Sequence, residues 1–385
     1  MVSNSNNDVV TFTAVGDVIV GRKDWENCFS PKAKEIVRAA DISFMNSETT
    51  YSDKGSPGGR QALFHDPWAM PAIKDAGFDI ATLANNHTLN WGQDALLDCL
   101  ERFKALGIAT CGAGKNMDEA RKPAVVERKG VKLAVLGYLS VGPNEYAADA
   151  NKAGAAMLRA HTHYEPYEFQ PGCQAKVLTF PFQEDMKNLQ EDVRKAKETN
   201  DIVIMTSHWG LHNVRALIPD YEYDYAYAAI DAGADMVIGT HTHILKGVEI
   251  YKGKVIAHNI ANFVMESSIG QKEGGRHYTP ASRNSLQRHQ EIIGPQGSRF
   301  KGLFGEHKHE QDYSMILKAE VSTATKQITR VAYTPIIAKD GVKVLSRNDP
   351  EGQEVVDYLC DISAEVGFNT RFSWDGDDEV LIHTT

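Results

Sequence analysis

Two histidines separated by one residue follow an apolar run, and their types and spacing suit metal binding. The run covers residues 234–240, and His241 and His243 then flank a threonine. In extended backbone, side chains two residues apart point to the same side and lie about 6.5–7 Å apart. One strand end therefore presents two imidazoles to one small volume, which one metal ion or a pair of ions could occupy.

Four further segments have the pattern of short strands, and each is followed by side chains that can bind a metal or move a proton. The segments are 9–15, 41–47, 77–84 and 201–207, and the side chains after them are Asp17, Glu48, Asn86 with His87, and His208. In α/β sheets, ligand sites form beyond the carboxyl ends of the strands, so we expect these groups to converge. Carboxylate, amide and imidazole ligands suit first-row divalent ions.

This ligand set predicts a centre that holds one or two divalent ions. A dinuclear site holds its ions about 3.5–4 Å apart, and Glu48 is the candidate bridge between them. His87 stays outside the ligand set, where its imidazole can act as a general acid or base near neutral pH. The predicted assignment is Asp17 and His243 on one ion, Asn86, His208 and His241 on the other, and Glu48 on both.

The elements that must position these residues alternate between strands and helices. Helices are predicted at 31–40, around 96–106, at 183–199 and at 221–231, and antiparallel strands at 313–322 and 327–337. Residues 141–183 show no clear period and are predicted to be an irregular surface excursion. The predicted organisation is a flexible N-terminus at 1–8, a catalytic domain at 9–345 with a long inserted loop at about 266–312, and a C-terminal extension at 346–385.

Composition excludes several classes of protein. The chain is 42% hydrophobic and 24% charged, which is typical of a globular protein. Its formal net charge of -10 argues against general nucleic-acid binding and against docking on an anionic membrane surface. No apolar run is long enough to predict a membrane span.

The N-terminus and the cysteines favour a cytoplasmic protein as the sequence stands. The N-terminal residues are polar and lack the basic and apolar regions of a signal peptide. The five cysteines are scattered without C-x-x-C spacing, which favours reduced thiols. An extracellular or membrane-anchored protein from which an N-terminal segment was removed would give the same pattern.

Six short motifs follow each other in a fixed order. They are 16–22, 46–49, 84–87 with Gly92, 207–210, 239–243, and Asn262 with Phe263. This set resembles the CapA (poly-γ-glutamate capsule synthesis) family of the calcineurin-like metallophosphoesterase superfamily, over about residues 9–340. The resemblance implies an α/β (α+β) fold with a four-layer αββα sandwich, and it implies the metal roles given above. The candidate substrate-binding residues lie within these motifs and are Arg22, Asn85, Trp209 and Asn262, with packing in the core as the alternative role for Trp209.

The chain departs from the motifs of these families at several positions. The superfamily's first motif is Gly-Asp-x-His, whereas Asp17 is followed here by valine and isoleucine, which implies a thinner ligand set for one ion. Glu48 stands where phosphoesterases usually have Asp. Asn90 stands three residues after His87, where the family often has Asp. The family's His-Trp-Gly is commonly followed by Glu, whereas this chain continues with leucine and His212.

The resemblance implies a metal-dependent enzyme that acts on an amide-rich anionic substrate, such as poly-γ-glutamate or another peptide, by hydrolysis or transfer at an amide. These departures argue above all against a simple phosphoesterase, because phosphoesterases depend on the full dinuclear ligand set. The alternatives are a phosphoesterase, a metal-dependent peptide epimerase that exchanges the Cα proton, and a non-catalytic polyanion-binding subunit of a capsule synthase. The sequence leaves open the metal (Mn, Fe, Zn or similar), the oligomeric state and capsule-synthase partners.

Overall fold

The structure, a computed structural model, describes residues 8–21, 24–57, 66–166, 175–266 and 310–384. The helices in these ranges are α1 (Pro31–Ala39), α2 (Met70–Ala76), α3 (Gln93–Ala105), α4 (Met117–Ala120), α5 (Gln183–Thr199), α6 (Asp220–Ala232) and α7 (Pro350–Glu365). The strands are β1 (Val9–Ile19), β2 (Ile42–Ser47), β3 (Ile80–Thr82), β4 (Ala109–Cys111), β5 (Ala113–Gly114), β6 (Ala124–Arg128), β7 (Val131–Leu139), β8 (Gly154–Ala155), β9 (Ala160–Glu165), β10 (Lys176–Pro181), β11 (Ile202–His208), β12 (Met236–Thr240), β13 (Val248–Tyr251), β14 (Lys254–Ala257), β15 (Asn262–Met265), β16 (Tyr313–Ser322), β17 (Ile328–Ala338), β18 (Val342–Val344), β19 (Arg371–Asp375) and β20 (Glu379–His383).

Two sheets carry most of the strands. The larger sheet has the order β19-β20-β17-β16-β1-β2-β3-β4, with β15 added beside β1 and β18 beside β17. The smaller sheet has the order β13-β14-β12-β11-β7-β6. Strands β1 to β4 run parallel to one another, and so do β7, β11, β12 and β14. Each sheet therefore brings several carboxyl ends to one edge, where ligand sites form.

Three apolar clusters show that the sheets and helices form four layers. Between the two sheets, side chains such as Phe12 from the larger sheet pack with Val135 and Ile204 from the smaller one. The outer face of the larger sheet packs against α1, α2 and α3. The outer face of the smaller sheet packs against α5 and α6. The predicted αββα sandwich is confirmed, and its parallel strands are buried on both faces, as their apolar runs require.

The prediction for residues 141–183 is corrected. This region contains a two-stranded antiparallel hairpin of β9 and β10, in which His163 pairs with Leu178. Every residue of 161–165 is exposed, so the hairpin has no buried face to produce an alternating pattern in the sequence. The hairpin tip, residues 167–174, lies outside the described residues.

Residues 346–385, predicted as a C-terminal extension, are built into the sandwich where they are described. Helix α7 contributes to the core between the sheets, and β20 pairs with β17 of the larger sheet. Residues 1–7 of the predicted flexible N-terminus and residues 267–309 of the predicted loop lie outside the described residues. Among the helices that the structure describes, none has the length and apolar character to cross a membrane.

Candidate metal centre

The predicted ligands come together at one edge of the sandwich, across both sheets. The larger sheet contributes Asp17 near the end of β1, Glu48 just after β2, and Asn86 beyond β3. The smaller sheet contributes His208 as the last residue of β11. The His-x-His pair follows β12, whose register with β11 places Thr240 beside His208. Convergence follows from the parallel pairing, because strand ends that share an edge place their loops side by side.

Close backbone packing holds the His-x-His segment in place. A Cβ atom at Gly239 would lie 1.8 Å from the backbone oxygen of His258, so only glycine fits there. His241 and His243 then adopt left-handed backbone conformations, with φ of 97° and 57°. Such conformations cost energy for residues other than glycine, and proteins keep them chiefly where the surroundings or a function require them.

One group of ligand atoms forms around His208. Its Nε2 lies 3.2 Å from His241 Nδ1, 3.0 Å from Asn86 Oδ1 and 3.7 Å from Glu48 Oε1. Ligand atoms that share one ion at about 2.0–2.2 Å are themselves about 3.0–3.6 Å apart. The side chains of His208 and Glu48 are fully buried, so the group is shielded from solvent and its atoms have the spacing of metal ligands.

A second group forms around His243 and shares Glu48 with the first. His243 Nε2 lies 3.4 Å from Glu48 Oε1, and His243 Nδ1 lies 3.3 Å from Asp17 Oδ2. The other oxygen of Asp17 accepts a hydrogen bond from Asn46 Nδ2 at 2.7 Å. Each group offers three ligand atoms within 4.8 Å of one another, from histidine and carboxylate side chains alone.

The Glu48 carboxylate supplies a test of whether these residues suit a metal. It is buried, and within the part of the chain that the structure describes neither of its oxygens accepts a hydrogen bond. A buried carboxylate without donors is costly, and buried charges in proteins are paired or bind metals. Because Glu48 belongs to both ligand groups, its position fits a carboxylate that bridges two divalent ions.

The electrostatics of the site agree with this donor chemistry. Burial raises the pKa of Glu48 well above its ordinary range; His243 opposes this shift, and Asp17 adds to it. Burial and neighbouring histidines lower the pKa of His208 and His241 well below 6.5, so both imidazoles are neutral, as metal ligands must be. Burial also disfavours charge on His243, but Glu48, Asp17 and a bond to Asn262 raise its pKa to about 10.

His87 stands beside the ligands, and its ring is oriented by a chain of two hydrogen bonds. Its Nδ1 lies 2.7 Å from Asn90 Oδ1, and Asn90 Nδ2 donates to the Tyr146 hydroxyl at 2.9 Å. An amide oxygen only accepts, so Nδ1 carries a proton and Nε2 is the nitrogen that exchanges one. Asn90 thus orients His87 where the family often uses Asp.

The predicted substrate-binding residues occupy different environments. Asn85 is buried, and its amide donates to the backbone oxygen of Ser47 at 2.7 Å. Trp209 is fully buried, and its indole N–H donates to the backbone oxygen of His258 at 2.9 Å. Both side chains therefore support the site from within the fold, and neither presents a surface to a substrate, which corrects their predicted role.

The other two residues of that set are Asn262 and Arg22. Asn262 is half-buried, with its Oδ1 2.6 Å from His243 Nδ1, so it fixes the orientation of that ring. Arg22 lies outside the described residues. A metal ligand oriented by an amide or carboxylate on its other ring nitrogen is a common arrangement in metal sites.

One residue at the site was not among the predicted ligands. The exposed His212 places its ring 4.8 Å from the ring of His243 and 5.6 Å from that of His241. Partial desolvation by the surrounding protein and the nearby His243 lower the pKa of His212 to about 4, against an opposing effect of Asp17. The signal in the sequence was its position just after the His208-Trp209-Gly210 motif, where the chain departs from the Glu that commonly follows this motif in the family.

Comparison with known proteins gives the relatives of the chain. Residues 11–267 match the family described as "Bacterial capsule synthesis protein PGA_cap". The PGA biosynthesis protein CapA of Bacillus subtilis is 28% identical over 277 residues, which cover 69% of this chain and 66% of the relative. The capsule biosynthesis protein CapA of Bacillus anthracis is 27% identical over 281 residues, which cover 69% of this chain and 62% of the relative. The chain thus spans less than two thirds of the length of either relative.

A solved structure is similar at low sequence identity. The calcineurin-like phosphoesterase YfkN from Bacillus subtilis is 12% identical, with a TM-score of 0.39, over 93% of this chain and 97% of that chain. A similarity of this size supports no conclusion about function. The family match is stronger, because it covers more than half of the 385 residues and includes every ligand described above. The chain therefore belongs to the bacterial capsule synthesis (PGA_cap) family, as its six motifs predicted.

Proposed function

We propose that the chain is a metal-dependent enzyme of CapA type that hydrolyses an amide bond in an anionic peptide such as poly-γ-glutamate. The observation that carries the proposal is the Glu48 carboxylate, which is buried without hydrogen-bond donors among the described residues and is shared by two ligand groups. The substrate class follows from the relatives, whose names refer to PGA and capsule biosynthesis.

The proposed chemistry divides between the ions and the protein. When bound, divalent ions would polarise the amide carbonyl and activate a water molecule. Asp17, Glu48 and His243 would hold one ion, and Glu48, Asn86, His208 and His241 the other. His87 would give a proton to the leaving amide nitrogen from Nε2, while Asn90 holds Nδ1.

The charge of the site favours an anionic substrate. Asp17 and Glu48 are the only carboxylates in the two ligand groups found among the described residues. Two divalent ions would exceed the charge of two carboxylates, so the loaded centre would be positive although the chain carries a formal net charge of -10. A local positive field attracts a polyanion such as poly-γ-glutamate to the site.

Peptide cleavage by the metal-loaded protein tests the proposal. The full chain is stripped with EDTA, reloaded with Mn²⁺ or Zn²⁺, and incubated with γ-linked glutamate oligomers of defined length. We expect shorter oligomers by mass spectrometry and new amino termini in equal amount, and neither with Glu48→Gln. The matched control is Glu101→Gln on α3, a glutamate whose side chain is 74% exposed and which should leave cleavage unchanged.

The same incubation in D₂O separates the other functions. Intact oligomers that gain deuterium at Cα would show that the reaction is epimerisation and not hydrolysis. Release of phosphate from a phosphate ester, with no peptide cleaved, would show that the enzyme is a phosphoesterase. Tight binding of the oligomer without metal and without turnover would favour a polyanion-binding subunit, and each of these results overturns the proposal.

A further inference from the structure

We propose that His212 is a ligand of the ion held by Asp17 and His243, and that it supplies the imidazole which the first motif of this chain lacks. The inference rests on the metal centre of the proposed function, but not on the reaction or the substrate. In the superfamily's Gly-Asp-x-His motif a histidine stands two residues after the aspartate, and Ile19 occupies that position here.

Ring spacing within the site supports the assignment. His208 and His241, which both belong to the first ligand group, have ring centroids 4.7 Å apart with planes at 60°. His212 and His243 have centroids 4.8 Å apart with planes at 76°. His241 and His243, which belong to different groups, are 6.0 Å apart. The ring of His212 thus lies as close to the ring of His243 as the ring of His208 lies to that of His241, although its nitrogens are outside the two groups of ligand atoms within 4.8 Å and would have to turn toward the ion.

The ligand count of the second group leaves room for another donor. Its ligand atoms come from Asp17, Glu48 and His243, and Glu48 is shared with the neighbouring group. The neighbouring group has in addition the amide oxygen of Asn86, 3.0 Å from His208 Nε2. Divalent zinc in proteins takes four or more ligands, and softer first-row ions accept imidazole readily. A second imidazole would bring the two ions to comparable ligand sets.

The segment that carries His212 is fixed to the metal-binding segment. The backbone N–H of Asn213 donates to the backbone oxygen of Thr242, the residue between the two histidines of the His-x-His pair, at 2.9 Å. The buried Lys246 ammonium donates to the backbone oxygens of Val214 and Leu217, the latter at 3.0 Å. A short loop held at both of these places keeps His212 at the mouth of the centre.

The far end of the same segment is held by ion pairs. Arg215 lies 2.6 Å from carboxylate oxygens of both Glu310 and Glu365. Its guanidinium also lies over the ring of Tyr358, 4.9 Å from the centroid. By contrast, the contact that His212 Nε2 makes with Asn213 Nδ2, within the described residues, is long at 3.4 Å. The loop is thus firmly built, while the imidazole it carries has weak partners in the protein.

Metal binding without any substrate tests the inference. The full chain, stripped with EDTA, is titrated with Mn²⁺ by calorimetry, and the loaded protein is examined by electron paramagnetic resonance. We expect two ions per wild-type chain, with the signal of a coupled pair. His212→Ala should weaken the second ion about tenfold or more, since even the loss of a residue that only orients a ligand commonly costs that much.

Three further variants serve as controls for this test. His212→Asp should retain both ions, because it restores a donor atom, whereas Asp17→Asn should lose the same ion as His212→Ala. His163→Ala removes an equally exposed histidine on β9 and should change nothing. Thermal unfolding without metal should be alike for wild type and His212→Ala, since the side chain is exposed.

The outcomes distinguish this inference from the proposed function. If His212→Ala binds two ions with wild-type affinities, the inference is wrong and the proposed hydrolase is unaffected. If wild type binds two ions and His212→Ala one, but no γ-glutamyl oligomer is cleaved, only the proposed reaction fails. A wild-type chain that binds one ion, unchanged in Asp17→Asn, also overturns the role of His212.

Discussion

Two clusters of acidic and basic side chains, both largely buried and both within the described residues, differ in how their charges are balanced. One is the candidate metal centre. The other, here called the Glu222 cluster, consists of Glu222 on α6, Lys246, Glu249 on β13 and His258 just after β14. His258 Nδ1 lies 3.5 Å from Glu222 Oε2, and His258 Nε2 lies 3.5 Å from Glu249 Oε2.

In the Glu222 cluster the charges compensate one another within the protein. Two carboxylates face one imidazole, and the ammonium of Lys246 donates to two backbone carbonyls of the segment that carries His212. The rings of Tyr223 and Phe368 lie against His258, with centroids 5.2 and 5.5 Å away. Although Glu222 Oε2 and His258 Nδ1 also lack hydrogen-bond partners among the described residues, two basic groups balance the two carboxylates of this cluster.

The metal centre is compensated less completely: His243 faces both the Asp17 and the Glu48 carboxylate, which raise its pKa to about 10, but no lysine or arginine among the described residues pairs with them. The two Glu48 oxygens accept no hydrogen bond there, and the nearby His208 and His241 are neutral because burial lowers their pKa. Burial of charge is common to both clusters and does not distinguish them. What distinguishes the centre is that two carboxylates and the two neutral imidazoles of His208 and His241 surround a single basic imidazole, His243, whose proton a divalent ion would displace on binding.

Glu48→Gln should have the largest effect, because it removes the ligand shared by both groups. Wild type should gain about 2.7 kcal/mol of unfolding free energy for each of the two ions when free Mn²⁺ is a hundred times the dissociation constant. The variant should gain almost nothing. Without metal its stability should change much less, since Glu48 accepts no hydrogen bond and only faces His243 at 3.4 Å. Urea unfolding with and without Mn²⁺ measures both quantities; a full metal-dependent gain in the variant would refute the bridging role.

Glu222→Gln is the matching change in the other cluster and should give the opposite pattern. The change leaves the buried Lys246 without its carboxylate neighbour and His258 with Glu249 alone, and removing one partner of a buried ion pair costs about 3 kcal/mol of unfolding free energy. The gain on adding Mn²⁺ should remain that of wild type. If metal binding were lost together with stability, the two clusters would be parts of one unit, and the contrast between them would fail.

The Glu222 cluster should also make stability depend on pH through His258. Burial disfavours its charged form, but bonds to Glu222 and Glu249 outweigh this and raise its pKa above 6.5. A base with a raised pKa in the folded state stabilises fully below its unfolded value and loses that contribution as pH rises through the folded value. The advantage of wild type over His258→Gln should therefore be greatest below about pH 6.5 and shrink above it. Urea unfolding of EDTA-treated protein from pH 5.5 to 8.5 tests this, and a constant or growing advantage would contradict it.

The sequence predicted the strands and their terminal ligands because both leave a local signal. A parallel strand buried on both faces is a continuous apolar run, and a polar residue at its end, such as Asp17 or His208, is conspicuous. This logic made it plausible that Asp17 and His243 share one ion and that His208 and His241 share the other, and the resemblance to the family implied the assignment. Their roles as metal ligands remain predictions.

What the sequence did not predict depends on contacts between distant residues. His212 lies on a loop whose position is set by the Lys246 ammonium and by the bond from Asn213 to Thr242. Trp209 was predicted to face a substrate, but its burial is decided by the backbone of His258, 49 residues away. Neither arrangement has a periodic signature, so a pattern of residue types could not reveal it.

The smallest effect is expected from the His-x-His pair on β9, which repeats the spacing of the metal centre without its surroundings. His161 and His163 are exposed, and they belong to neither of the ligand groups found among the described residues. The ring of His161 instead stacks on Phe182 at 3.9 Å. Replacing both histidines by alanine should cost about 1 kcal/mol of unfolding free energy from the lost stacking and leave the number of bound Mn²⁺ ions unchanged. Calorimetric titration decides this: loss of an ion would mean that spacing alone makes a site, whereas an unchanged count would show that His241 and His243 depend on the buried carboxylates beside them.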